Sequence, residues 1–277
     1  MIDLVCPIWN RKEFLALTLR SLDKYLDFRK VHRLLLLDDY SEDGASDVAR
    51  EWADKHDCAV YMRGRNPMLA TSWPLFEALR VLKTSKWLGI WLSDWYMCQP
   101  LIPVVEKAMA MAGDDADVIS CLTMRVTDDR KYTPDDILNI RRHRNTHGSI
   151  RGGFNLFRTS FLHRVRPVFE RWGTWGGISA MFNGVLRAKN VSFRAHWIAP
   201  PPAYLHLDED IPGNKLTQHF YKAEGLSVPD ILDFVRKYAA NGWCRNEVVN
   251  GGIVQRARVH AVYPKEGDTR PKGWRKR

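Results

Sequence analysis

Apolar and polar positions fall in blocks along the first half of the chain. Short apolar runs cover Ile2 to Ile8, Val31 to Leu37, Ala59 to Arg63, Lys86 to Leu92 and Asp117 to Leu122. Each is bounded by turn residues and is apolar on both faces, the pattern of a strand buried on both sides. The intervening stretches have helical spacing. Phe14, Leu15, Leu17, Leu19, Leu22 and Leu26 predict an amphipathic helix over Arg11 to Tyr25. Val48, Ala49, Trp52 and Ala53 predict a second over Ser41 to His56, and two more follow over Pro74 to Leu82 and Val104 to Ala112.

Strands alternating with helices require a mostly parallel sheet covered on both faces. Right-handed crossovers make it a doubly wound α/β sheet, whose ligands bind at the carboxyl ends of the strands. The positions to watch are therefore Trp9-Asn10, Asp38-Asp39, Arg63-Gly64-Arg65 and Ser93-Asp94. The rhythm breaks after Thr123. Asp128 to Ile150 is polar and reads as a loop, an apolar stretch resumes from Ile150 to Arg166, and Arg187 to Ile198 reads as a strand before Pro200-Pro201-Pro202. Pro229 to Ala240 is a late amphipathic helix, and no internal repeat is present.

The second strand, LLLLDDYSEDG from Leu34 to Gly44, ends in two adjacent acids. Burying both without partners is costly, and neighbouring side chains of a strand point to opposite faces. One acid is thus free to enter the crevice, where it suits a ligand N–H or a ribose hydroxyl, while the other braces the turn. Ser41, Asp43 and Gly44 supply turn and cap chemistry for the next helix. The plain alternative is that both acids cap the turn.

Composition adds a charge. The 277 residues hold 42 Lys and Arg against 32 Asp and Glu, and 11 Trp. The basic excess gathers at Arg141, Arg142, Arg144 and Arg151, and again in the tail from Lys265 to Arg277. Such patches attract polyanions, or are simply a solvated face and a frayed end. The five cysteines are scattered with no CxxC pair, so neither a zinc knuckle nor a disulfide framework is indicated. MIDLVCPIWNRK is not a signal peptide and no apolar run approaches about 20 residues, so a cytoplasmic protein without a membrane span is expected. GxGxxG and GxxxxGK[ST] are both missing after the first strand, which excludes the Rossmann dinucleotide and P-loop modes of phosphate binding.

VCPIWNRKEFLALTLRSL resembles the opening of the family 2 glycosyltransferases of the GT-A fold. LLLLDDYSEDGASDVAREWA resembles their second signature, and RGRNPMLATSWPLFEAL is similar to their third. WLGIWLSDWYMCQP sits where they carry a metal-binding Asp-x-Asp, and keeps Pro100 eight residues after Leu92. The resemblance covers roughly the first 125 residues, and the order of the four segments makes it specific. It implies a GT-A type doubly wound, mostly parallel sheet flanked by helices, with a C-terminal acceptor-side extension. Residues 1–125 would be the nucleotide-sugar half, 126–262 the acceptor half of the same domain, and 263–277 a basic tail.

By this resemblance Pro7, Trp9 and Arg11 line the base and ribose side of a nucleotide-sugar site. Asp39 accepts from the base N–H with Asp38 in support, Arg65 lies near base and phosphates, and Ser93 and Asp94 lie near the diphosphate and a metal. Trp9 is otherwise core packing and Arg65 a surface charge. Gly152, Gly153 and Asn155 resemble the segment between the two halves, with a strand bulge as the plain alternative, and Trp175 lies in a Trp-Gly segment on the acceptor side.

Two departures stand out. The family reads Leu-Asp-x-Asp-Asp at the fourth strand end; this chain reads Leu92-Ser93-Asp94-Trp95-Tyr96, with one acid on the middle position. One carboxylate plus a diphosphate still holds Mg²⁺ or Mn²⁺ in principle, and cationic side chains are the alternative. Inverting members also place an acid on the helix after the Trp-Gly segment, where Ile178 and Ser179 stand. In HLDEDIPG, His206 and Asp208 are the candidates for metal ligand or base, whereas Glu209 and Asp210 read as a solvated loop. The expected activity is hexosyl or pentosyl transfer from a nucleotide sugar, UDP-linked by preference, to an acceptor hydroxyl. A polyanionic acceptor is expected, a modified base in DNA in its specific form; a glycan or cell-envelope polymer is the alternative. A nucleotide-sugar-binding protein that has lost catalysis is the second reading. A nucleotidyltransferase is the third, disfavoured because no lysine-bearing Gly-rich loop opens the chain.

Overall fold

Leu34 to Leu37 are each buried to within 1% of complete, yet alternate residues enter different cores. Leu34 and Leu36 join Leu4, Cys6 and Ile8 on one face, and Leu35 and Leu37 join Val5, Leu88 and Ile90 on the other. The period of two along a strand produces this split, and helices covering both faces are its consequence. A computed structural model describes residues 1–65, 72–82, 85–121, 142–147, 149–150, 153–172, 178–199, 204–207, 218, 221–244, 246–250 and 252–255.

The chain runs β1 (Ile2–Ile8), α1 (Lys12–Tyr25), β2 (Val31–Asp38), α2 (Ala45–Ala53), β3 (Ala59–Arg63), α3 (Trp73–Val81), β4 (Trp87–Ile90), β5 (Trp95–Met97) and α4 (Leu101–Ala112). It continues through β6 (Val118–Cys121), β7 (Arg142–His147), β8 (Asn155–Arg158), α5 (Thr159–Trp172), α6 (Ile178–Ala188), β9 (Arg194–Ala199) and β10 (Tyr204–His206). It ends in α7 (Val228–Ala240), β11 (Asn246–Val249) and β12 (Gly252–Gln255). The main sheet has the order β3-β2-β1-β4-β8-β6-β9-β7. From β3 to β4 every pairing is parallel, as is that of β6 with β9; β8 is antiparallel to β4 and β6, and β7 to β9. The connection reverses direction between β1 and β4, so the switch point of this doubly wound sheet lies at their carboxyl ends.

Helices α1, α2 and α4 lie over one face of the sheet and α3, α5 and α6 over the other. Gly89, in β4, is required by packing: a Cβ there would sit 2.8 Å from Leu4 Cδ2 and 3.0 Å from Phe154 Cζ. A third cluster joins Phe14 and Leu17 of α1 to Tyr96, Leu205, Ile231, Val235 and Tyr238, docking α7 against α1. Among the described residues no helix is long and apolar enough to cross a membrane, and Cys6 and Cys58 are free thiols.

Three boundaries differ from the sequence expectation. Helix α2 starts at Ala45 rather than Ser41, because Ser41 to Gly44 form a turn closed by side chains and by Gly44 at φ 86°. The segment read as a loop contains β7, an edge strand antiparallel to β9; RHRNTH has no apolar face, so no strand signal marks it. Arg187 belongs to α6, which ends before Asn190 at φ 53°, and the following strand starts at Arg194. The Asn250-Gly251 dipeptide is a strong hairpin signal in the sequence, and β11 and β12 pair antiparallel with Asn250 at φ 50°.

Candidate active site

Strand alternation separates the two acids of LLLLDDYSEDG. Asp38 is completely buried and Asp39, one residue on, is half-buried. Asp38 Oδ1 accepts from the Ser41 N–H at 3.0 Å and the Ser41 hydroxyl at 2.5 Å. Its Oδ2 accepts from the Ser46 hydroxyl at 2.5 Å and the Tyr61 hydroxyl at 2.9 Å, with Arg63 Nε 3.8 Å away. Asp38 is therefore the acid that braces the turn. Burial, together with donation to Asp38, keeps the Tyr61 phenol above its usual pKa and protonated. The backbone N–H of Asp39 donates to the Ile8 carbonyl at 2.8 Å, fixing the end of β2 against that of β1.

The end of β1 is held as tightly. Asn10 is buried, its N–H donates to Ser41 Oγ at 2.7 Å, and its Oδ1 accepts from the Glu42 N–H at 2.7 Å. Asp43 accepts from the Lys12 N–H at 2.8 Å and the Ala45 N–H at 3.1 Å, so one carboxylate serves the amino ends of α1 and α2. Trp9 is 46% exposed rather than packed in the core, and Pro7 is half-buried. Tyr40, with φ 55°, is 52% exposed and carries the Arg63 guanidinium 4.7 Å over its ring, while Arg65 is exposed. Asn10 and Arg63 fall at strand ends that the sequence marks; Tyr40 does not, because a surface Tyr–Arg stack has no sequence pattern.

At the switch point Arg11 crosses from the end of β1 and its Nη1 donates to Asp94 Oδ2 at 2.8 Å. The resemblance puts Arg11 with the base and ribose; its guanidinium meets the acid that follows β4. Ser93 is buried and its carbonyl accepts from the Thr18 hydroxyl at 2.9 Å. Strand β10 pairs with β5, sets His206 opposite Trp95 and donates the Leu207 N–H to the Asp94 carbonyl at 2.9 Å. This brings His206 Nε2 to 4.0 Å from Asp94 Oδ1, uniting two candidates 112 positions apart (206 − 94). Beneath them Trp95 stacks on Tyr204 at 4.2 Å, and burial, reinforced by the Asp94 charge, pushes the Cys6 thiol far up and leaves it unreactive.

Asp94 Oδ1 is buried and has no hydrogen-bond partner, an acceptor suited to a cation. With His206 Nε2 it offers two ligands to one ion, an oxygen–nitrogen set closer to the taste of Mn²⁺ than of Mg²⁺. Ser93 and Trp95 stand where further acids would complete the shell, and no group of three His, Cys, Asp or Glu that could hold a metal occurs among the described residues. The set fits a divalent ion only when ligand oxygens supply the remainder.

On the other side of β4, the Ser120 hydroxyl donates to Asn155 Oδ1 at 2.6 Å and Asn155 Nδ2 donates to the Gly153 carbonyl at 2.7 Å. Asn155 is only 1% exposed, so it shapes the backbone at Gly153, whose φ of 109° favours glycine. Asp208, Gly152, Trp175, Arg141, Arg151 and the Lys265 to Arg277 tail lie outside the described residues, as do the side chains of Arg142, Arg144, Ile178 and Ser179.

No protein-family model matches the chain, and none of the curated proteins does. Solved structures do. The mannosyltransferase PcManGT from Pyrobaculum calidifontis, solved with GDP-Man and Mn²⁺, is 18% identical with a TM-score of 0.52, over 87% of this chain and 70% of that one. TarS 1-349 from S. aureus, solved with UDP-GlcNAc, is 14% identical with a TM-score of 0.52, over 84% and 66%. A longer TarS structure gives 12% identity and a TM-score of 0.51, over 86% of this chain but 39% of that one. The fold is GT-A type. At these identities the likeness speaks for the fold.

Proposed function

We propose that this chain is a glycosyltransferase that moves a hexosyl or pentosyl group from a nucleotide sugar to an acceptor hydroxyl. The observation that carries it is the meeting of Arg11, Asp94 and His206 at the sheet's switch point, one strand away from Asp39. Residues 1–125 form the donor half and 126–262 the acceptor half. Asp39 accepts from the base N–H on a turn that Asp38 holds rigid; Pro7 and Trp9 line base and ribose, and Arg65 serves the phosphates. We infer a UDP-linked donor, in keeping with a neighbour solved with UDP-GlcNAc, although another was solved with GDP-Man.

In the reaction the acceptor oxygen forms a bond to the anomeric carbon as the bond from that carbon to the diphosphate breaks. The nucleoside diphosphate leaves with the electron pair, and the acceptor proton passes to a base. Asp208 is the candidate to take it where His206 holds an ion, and His206 where it does not. Arg11 and Ser93 stabilise the leaving charge. Asp94 and His206 would hold Mn²⁺ or Mg²⁺, which when bound draws negative charge from the leaving group. The basic segment around Arg142 and the tail suit a polyanionic acceptor, for which we propose a modified base in DNA, with cell-envelope polymers as the competitor.

A second reading, a nucleotide-sugar-binding protein without turnover, is favoured by the single acid between Ser93 and Trp95. Incubation with UDP- and GDP-linked donors and with DNA or glycan acceptors, with and without Mn²⁺ and read by mass, separates the two. Transfer supports the enzyme; bound nucleotide with neither transfer nor donor hydrolysis supports the binding protein. If DNA is the acceptor, removing Lys265 to Arg277 weakens its binding and flattens the salt dependence.

A further inference from the structure

Arg11 is built into its position by the backbone. Asn10 and Arg11 both lie in the left-handed region, at φ 53° and 64°, which non-glycine residues occupy only where their surroundings enforce it. The enforcing contacts are the Asn10 N–H on Ser41, the Glu42 N–H on Asn10 and the Lys12 N–H on Asp43. The result is a guanidinium carried from the end of β1 to the end of β4, bonded to Asp94 at 2.8 Å with 18% of the Arg11 side chain and 7% of the Asp94 side chain exposed.

Strands β1 and β4 flank the switch point, where a ligand of such a sheet places its charged middle. The residues flanking Asp94 are a hydroxyl and an indole, so Asp94 is the one carboxylate of Leu92 to Tyr96, and one of its oxygens is already bonded to a cation. A divalent ion bound to the other oxygen meets a guanidinium fixed on the same carboxylate, and like charges in a half-buried site repel. Arginine, with donors on several edges of a planar fork, is able to hold a carboxylate and a phosphate together.

We propose that Arg11, held by Asp94, is the fixed cation that binds the diphosphate of the donor, so that a nucleoside diphosphate binds without a divalent ion. This rests on the donor-site reading above and assigns Arg11 to the phosphates instead of the base. Any metal at Asp94 and His206 is then an accessory to the leaving group and not a condition of binding.

Calorimetric titration of the full chain with UDP and UMP, and with GDP and GMP, each in EDTA and in Mn²⁺, tests it. In EDTA the diphosphate of one pair should bind about tenfold or more tightly than its monophosphate. Arg11→Ala should weaken the diphosphate by about 10- to 100-fold, the scale of a lost charge-assisted hydrogen bond, and leave the monophosphate unchanged. Arg11→Lys should retain part of the preference, and Asp94→Asn should still bind the diphosphate in EDTA. If Arg11→Ala does not fold, the Arg11→Ala, Asp94→Asn double variant removes the pair without stranding a buried charge and should show the same loss. Diphosphate binding that appears only with Mn²⁺, or an Arg11→Ala loss equal for both nucleotides, overturns the proposal while leaving the donor site standing. Failure of every nucleotide to bind, with and without Mn²⁺, overturns the donor site itself and the proposal with it.

Discussion

The N–H of Asn10 donates to Ser41 Oγ at 2.7 Å, and the same hydroxyl donates to Asp38 at 2.5 Å. One side chain thus ties the end of β1 to the turn after β2, and the two strand ends form one rigid rim. Ser41→Ala leaves a buried N–H without its acceptor and removes a donor from Asp38, which should lower stability by about 2 kcal/mol. Asp38→Asn presents an amide NH₂ to hydroxyls that now donate, and should cost about 3 kcal/mol. Urea unfolding midpoints at neutral pH measure both; an Asp38→Asn midpoint equal to the parent's would show that the buried acid does not brace the turn.

Asp39 is the complementary case. It is half-buried, and Trp9, which follows the adjoining strand, is exposed. Asp39→Ala tests its role in binding. It should weaken UDP binding, and raise the donor KM, by about tenfold or more, the scale of a hydrogen bond to a charged acceptor. Unchanged affinity would remove base recognition from this residue.

Gly89 sits where a methyl group overlaps Leu4 and Phe154. Gly89→Ala should therefore destabilise by about 1–3 kcal/mol, the cost of overpacking a filled core. The shift should appear equally in tryptophan fluorescence and far-ultraviolet circular dichroism, because the clash lies in the central sheet; a thermal midpoint unchanged from the parent would contradict the packing.

The sheet was legible because its strands are buried on both faces, which forces runs such as Leu34 to Leu37 to be apolar throughout. The acid pair was legible because strand alternation assigns its members different surroundings whatever the ligand. The edge strand Arg142–His147 was not, since RHRNTH carries no apolar run or apolar alternation. Nor was the destination of Arg11: the sequence places it after β1, but the left-handed turn that aims it at Asp94 depends on Ser41 and Asp43, some 30 residues away (41 − 11). His206 was legible as a chemical type, and its partner only through the β5–β10 pairing.

Acid should loosen the C-terminal helix before it unfolds the sheet. Glu13 of α1 accepts from Lys237 at 2.6 Å and from Tyr238 at 2.7 Å, both on α7. Partial burial alone would raise the Glu13 pKa, but these hydrogen bonds outweigh it and hold the carboxyl below its usual 4.5. A depressed folded-state pKa means a contribution present above the unfolded value and lost as pH falls through the folded one. The parent should keep the contact at pH 5 and above and lose it progressively below about 4.5. Glu13→Gln should be less stable than the parent at neutral pH, with the difference shrinking in acid. Hydrogen exchange of Val228–Ala240 amides between pH 3 and 6, corrected for intrinsic rates, resolves the helix from the sheet; a gap between variant and parent that stays constant over that range would show that Glu13 does not hold α7 through its charge.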